Sequence, residues 1–144
     1  MSFSNDEKLE IAKTFCLAAI VNGYRFAQKM EKVEEYAKSQ GVNAAQIAKR
    51  IFGKDKNYAI RYLLMIGSSL GVPYPKETKG KKIEVDCNPE NCGYYCTARI
   101  NGVNDFCPNF CEPFLKSYCQ EFDISVKIEP PKNGKNGRIE YKIG

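Results

Sequence analysis

Six of the seven cysteines fall in one short stretch, at Cys87, Cys92, Cys96, Cys107, Cys111 and Cys119, while Cys16 stands alone. Thiolates so crowded have three ordinary uses. Four of them suit a tetrahedral zinc site, in which paired ligands two to four residues apart are normal. They also suit an iron–sulfur cluster. Bridged in pairs, they would staple a structural protein. The spacings here are Cys-x4-Cys-x3-Cys, then ten residues, then Cys-x3-Cys-x7-Cys. The tight Cys-x2-Cys of zinc knuckles, ferredoxins and redox motifs does not occur. Zinc is the favoured cofactor by ligand softness, with an iron–sulfur cluster as the alternative. Cys111 and Cys119 would lie about 12 Å apart along a helix. They can share one ion only if the helix starts after Cys111, as Pro113 suggests. The candidate ligands are then Cys87, Cys92, Cys96, Cys107 and Cys111, with Cys119 as a further ligand or a core residue. Cys16 reads as a small buried hydrophobe.

The chain contains no His, which removes His-based triads, proton relays and His-ligated zinc. Catalysis would have to run through a thiolate activated by Lys, Arg or a helix start, with Cys111 as the best nucleophile. No phosphate loop, dinucleotide fingerprint or nucleophile elbow is present. These absences lean away from an enzyme, with a thiol redox or Cys-nucleophile enzyme as an alternative. Aromatic residues crowd the same region, and Tyr94, Tyr95, Phe106, Phe110, Phe114 and Tyr118 could wall a pocket for a small, mostly apolar ligand. A second alternative is a metal-stabilised nucleic-acid-binding regulator. Residues 43–64 can be read as helix-turn-helix, with Lys49, Arg50, Lys54, Lys56 and Arg61 for phosphate contact.

These residues must be positioned by a chain of 144 residues with a net charge of +5. That is one domain's length, and no apolar run is long enough to span a membrane. The acidic opening, without a signal-like apolar stretch, predicts a cytoplasmic protein. The expected architecture is α+β: N-terminal helices packed on a small antiparallel sheet with a Cys-rich loop region. Residues 1–72 form the helical half, 73–82 a Pro/Gly/Lys connector, and 83–144 the Cys-rich half. Ser4 to Glu7 has the capping-box form. A long amphipathic helix follows through Leu9, Ala12, Cys16, Ala19, Gly23, Ala27 and Met30, continuous or broken near Asn22-Gly23. Its small residues would admit a second helix, and a homodimer through the N-terminal helices is possible on this pattern. Gly41 is expected to stop that helix and Asn43 to cap a second one, ending at Gly53. Asp55 caps a third, closed by Gly71. Lys82 to Asp86 alternates as a strand, Tyr94 to Ile100 is a second strand candidate before an Asn-Gly turn, and a helix starts near Glu112. Ile124 to Ile128 and Arg138 to Ile143 form a closing hairpin.

From Lys82 to Ile143 the order of strand, Cys-rich loop, Cys-bearing helix and hairpin resembles the 4-vinyl reductase domain. That domain is a small-ligand-binding relative of vesicle-tethering trafficking-complex subunits. The residues carrying the likeness are Ile83-Glu84-Val85-Asp86-Cys87, Phe106-Cys107-Pro108-Asn109-Phe110-Cys111, Cys119 and the hairpin around Gly134 to Gly137. The final hairpin lacks the family's usual Cys. The resemblance implies a domain that encloses a small apolar molecule, often carries a metal beside it, and serves as a sensory module.

Overall fold

The computed structural model describes residues 2–69, 77–79, 81–132 and 135–144. Three helices come first: α1 (Asn5–Lys29), α2 (Val33–Phe52) and α3 (Lys56–Ser69). The capping box forms as expected. Ser4 Oγ accepts from the Glu7 N–H and the Ser4 N–H donates to Glu7 Oε2 at 2.7 Å. Met30 and Glu31 break the long apolar pattern, Glu31 adopting φ 56°, so the break lies beyond Asn22-Gly23. Gly41 does not stop a helix: α2 runs through it, and Gly41 is buried where the backbone of another helix presses against it. Gly53, at φ 70°, ends α2 as expected. Asp55 Oδ1 accepts from the Asn57 N–H at 2.8 Å and opens α3. The Gly71 stop lies outside the described residues.

The second half begins with β1 (Glu77–Lys79), inside the stretch expected as connector, and β2 (Lys82–Cys87). A 3-10 turn over Pro89–Asn91 leads into α4 (Gly93–Ile100). Here the strand expectation for Tyr94 to Ile100 is corrected. The segment is helical and its stop is local. Asn88 Oδ1 accepts from the Glu90 N–H and caps the preceding 3-10 turn, and Gly102, at φ 76°, lets Val103 N–H return to the Ala98 carbonyl at 2.8 Å. The Asn-Gly pair is therefore a helix stop and not a hairpin turn.

A π-helical turn at Cys107–Cys111 runs directly into α5 (Glu112–Gln120). The α-helix starts at Glu112 with Pro113 in its first turn, as expected, but the helical path is continued upstream by the π turn. Pro113 lacks an N–H and would crowd the carbonyl four residues back in a regular α-helix. The wider π turn upstream removes that conflict. The closing strands β3 (Ser125–Glu129) and β4 (Gly137–Lys142) pair antiparallel as expected. The sheet order is β1-β2-β4-β3, all antiparallel neighbours.

The helices cover one face of this sheet. Ile83, Val85 and Tyr141 point inward to Ala45, Ala48, Ile60, Leu63, Leu115, Tyr118 and Phe122. The opposite face is a ladder of charge, in which Lys82 meets Glu84 at 2.6 Å and Glu140 at 2.7 Å, and Arg138 meets Glu84. A second cluster lies between α1, α2, α4 and the π turn. It is made of Val21, Tyr24, Ala37, Ala98, Val103, Phe106 and Phe110. The α+β reading holds. No helix among the described residues is long and apolar enough to cross a membrane.

Candidate functional site: a thiol-edged apolar cavity

Where α3 and the π turn approach the ends of β2, β3 and β4, the packing leaves a cavity of about 140 Å³. Its aliphatic wall comes from Leu63, Leu64 and Ile66 on α3, Leu115 on α5, and the cross-strand neighbours Ile128 and Ile139. Period-two alternation places Val85, Ile139 and Tyr141 on the helix-covered face. Tyr94, Phe110 and Phe114 add aromatic surface. Among the described residues, Glu129 is the one charged residue in the wall, and its carboxylate is held by Lys127 at 2.8 Å on the exposed side.

Four thiols complete the wall: Cys87, Cys92, Cys107 and Cys111. Cys87 arrives at the end of β2, Cys92 at the start of α4, and Cys107 and Cys111 at the two ends of the π turn. All seven cysteines are free, so no pair is bridged. Burial pushes the Cys87 thiol up to about 12, with the sulfurs of Cys92 and Cys107 adding to the rise. Burial also raises Cys92, partly offset by the backbone N–H groups of Tyr95 and Tyr94. Cys107 and Cys111, one at each end of the π turn, interact so that Cys107 is drawn below its ordinary value and the half-buried Cys111 is pushed well above. Of the pair, Cys107 is the one drawn down, and the expected nucleophile Cys111 is the one pushed up.

The other expected ligands stand elsewhere. Cys96 turns away and donates to the Glu90 carbonyl at 3.4 Å. Cys119 is fully buried in the sheet-side core, its thiol pushed up to about 12 by desolvation. Cys16, expected in the core, is exposed on α1. The reason is that α1 packs through Leu17, Val21, Tyr24 and Ala27, a face rotated away from the one that carries Cys16. Among the described residues, no three Cys, Asp or Glu side chains gather closely enough to hold a metal ion as they stand.

Half of the expected aromatic wall is in place. Tyr94, Phe110 and Phe114 line the cavity, whereas Phe106 is stacked behind Phe110 at 4.7 Å in the second cluster. Tyr118 is core and donates to the Ala59 carbonyl at 2.7 Å, and Tyr95 lies under Arg99. The aliphatic residues of α3 and the hairpin were not expected in the wall. Their only sequence signal was membership of amphipathic segments, which marks the core without marking where it falls short of closing.

The basic residues of 43–64 lie on the end of α2, the turn after it and α3. Lys49 pairs with Glu121 at 2.5 Å and lies over the Phe122 ring, and Lys56 donates to the Asp123 carbonyl. Arg50, Lys54 and Arg61 are exposed. Comparison with protein-family models, curated proteins and solved structures found no match to this chain.

Proposed function

We propose that this domain binds a small, mostly apolar molecule about the size of one aromatic ring, in a sensing or carrying role and not in turnover. The observation that carries this reading is the cavity itself. An enclosed space near 150 Å³ with Leu, Ile and Phe walls accepts a benzene-sized guest, and this partly open cavity of about 140 Å³ with Leu, Ile, Phe and thiol walls matches it in volume and apolar lining. The resemblance to a small-ligand-binding domain supports the same reading. Thiols are soft, polarizable surface that suits an aromatic or thioether guest. The chain has no His to act as a base beside the Cys107 thiol, which argues against turnover.

Toluene serves as the probe. A guest that binds only the folded state raises stability by about 2.7 kcal/mol at 100 times its dissociation constant. Toluene is expected to raise the thermal midpoint, and Ile128→Trp, which fills the cavity, to abolish that rise while remaining folded. The chain has no Trp, so the new indole also reports directly on the site. Toluene that leaves the wild type unmoved, or stabilises the filled variant equally, overturns the proposal.

Zinc held by Cys87, Cys92, Cys107 and Cys111 is a second reading, favoured by their shared position around one cavity. It requires the four side chains to draw inward on loading. Metal content of anaerobically purified protein, read beside a free-thiol count, tests it: metal-free protein with all thiols free removes it. A visible absorption band would instead indicate an iron–sulfur cluster.

A further inference from the structure

Helix α1 carries two apolar stripes, and the fold uses only one. Leu17, Val21, Tyr24 and Ala27 face the body and are buried. At 100° per residue, Ile11, Phe15, Ala19, Phe26 and Met30 share the opposite face, interrupted by Lys8 and Asn22. There Phe15 is 72% exposed, Phe26 68%, Met30 54% and Ile11 46%. No residue from Ser2 to Cys16 is buried, so about three turns of α1 stand off the body. So short a helical stretch is marginal alone in water, and solvent is a poor neighbour for two phenyl rings.

We propose that α1 is a dimerisation helix whose outer stripe packs antiparallel against the same stripe of a second copy of this chain. Two features select a second copy and this direction. The first is charge. Asp6 and Glu7 open the helix, while Arg25 and Lys29 lie near its end. By helical angle, Glu7, Arg25 and Lys29 border the stripe along the same edge. A two-fold axis across an antiparallel pair sets that edge against itself with the ends exchanged, so Glu7 faces Arg25 and Lys29 of the second copy. A parallel pair would set this edge against the opposite one and lose the pairing. The second feature is size. The exposed apolar side chains of the stripe amount to roughly 450 Å² per chain, so a pair buries on the order of 1,000 Å² with its flanks, the lower bound for a specific interface. Ala18 and Ala19 near the crossing allow the backbones to approach closely.

The proposal is tested on the full chain under reducing conditions, which keeps Cys16 from cross-linking copies, by sedimentation equilibrium up to about 100 μM, where even a weak pair would assemble. A mass of two chains is expected. Phe15→Glu with Phe26→Glu should weaken association by more than about 100-fold. Both residues are exposed, so the circular dichroism of the rest of the fold should persist. Arg25→Glu with Lys29→Glu should weaken association, and adding Glu7→Lys should recover much of the loss. A one-chain mass for the wild type throughout, or a dimer that ignores the two Phe substitutions, overturns the proposal. Loss of affinity on charge reversal without recovery overturns the antiparallel arrangement.

Discussion

Gly41→Ala tests the packing that holds the cavity together. Gly41 lies in mid-helix, where Gly is worse than Ala by about 1 kcal/mol, so intrinsic propensity alone predicts that Ala stabilises. Tertiary geometry predicts the reverse. A Cβ at residue 41 would sit 2.3 Å from the Phe114 carbonyl oxygen and 3.1 Å from both the Phe114 carbonyl carbon and Ser117 Cβ. The carbonyl contact is about 1 Å too close, and the obstacle is helix backbone, which cannot swing aside as a side-chain tip can. Overpacking of this kind costs about 1–3 kcal/mol, and rigid backbone places the cost at the upper end. The net effect is a loss of about 1–2 kcal/mol. With a urea dependence of about 1–3 kcal/mol per molar, the unfolding midpoint should fall by roughly 1 M. Ser39→Ala, exposed on the same helix, should leave it unchanged or slightly raised. Because Phe114 also lines the cavity, the surviving folded Gly41→Ala protein should respond less to toluene. A Gly41→Ala protein as stable as the wild type would refute the close approach of α2 and α5, and with it the positioning of the cavity wall.

Thiol labelling and acid titration supply two more checks. A neutral alkylating agent should modify exposed Cys16 and the lowered, half-buried Cys107 ahead of Cys87 and Cys111, whose thiols are raised, with buried Cys119 protected until unfolding. Peptide mass mapping reads the order, and early labelling of Cys119 would contradict the burial described. On the charged face of the sheet, Arg138 and then Lys82 hold the Glu84 carboxyl at about 2, against an ordinary 4.5. Its folded value is depressed, so its contribution to stability is full above about pH 4.5 and is lost as pH falls toward 2. Glu84 is open to solvent, so salt should diminish the effect. A carbon-13 titration of Glu84 should show a midpoint that moves toward 4.5 in Arg138→Gln, and an unmoved midpoint would exclude that pairing.

The local chemistry of the chain was enough to determine the capping box at Ser4, the Gly53 stop, the Asp55 cap and the closing hairpin. In each, a side chain or a glycine acts on backbone within a few residues of itself. The α+β order followed from the change of hydrophobic period in the same way. Gly41 and the Tyr94 to Ile100 segment were misjudged because both signals are ambiguous locally. A glycine serves a helix stop and a close helix crossing equally well, and Asn-Gly serves a hairpin and a helix end. For Gly41 the choice fell to the distant backbone of Phe114, and for Asn101-Gly102 to the bond that Val103 returns to Ala98. The same holds for the site. Crowding of cysteines in sequence was visible, yet which of them meet depended on the π turn at Cys107–Cys111 and on the end of β2. Four thiols reach one cavity, while Cys96 and Cys119 are carried away by the turn and the helix on which they sit. Likewise the apolar pattern of α1 exceeded what one packing face needs. Which stripe turns inward was decided by the shape of its neighbours, because periodicity records how much apolar surface a helix has and not what lies opposite it.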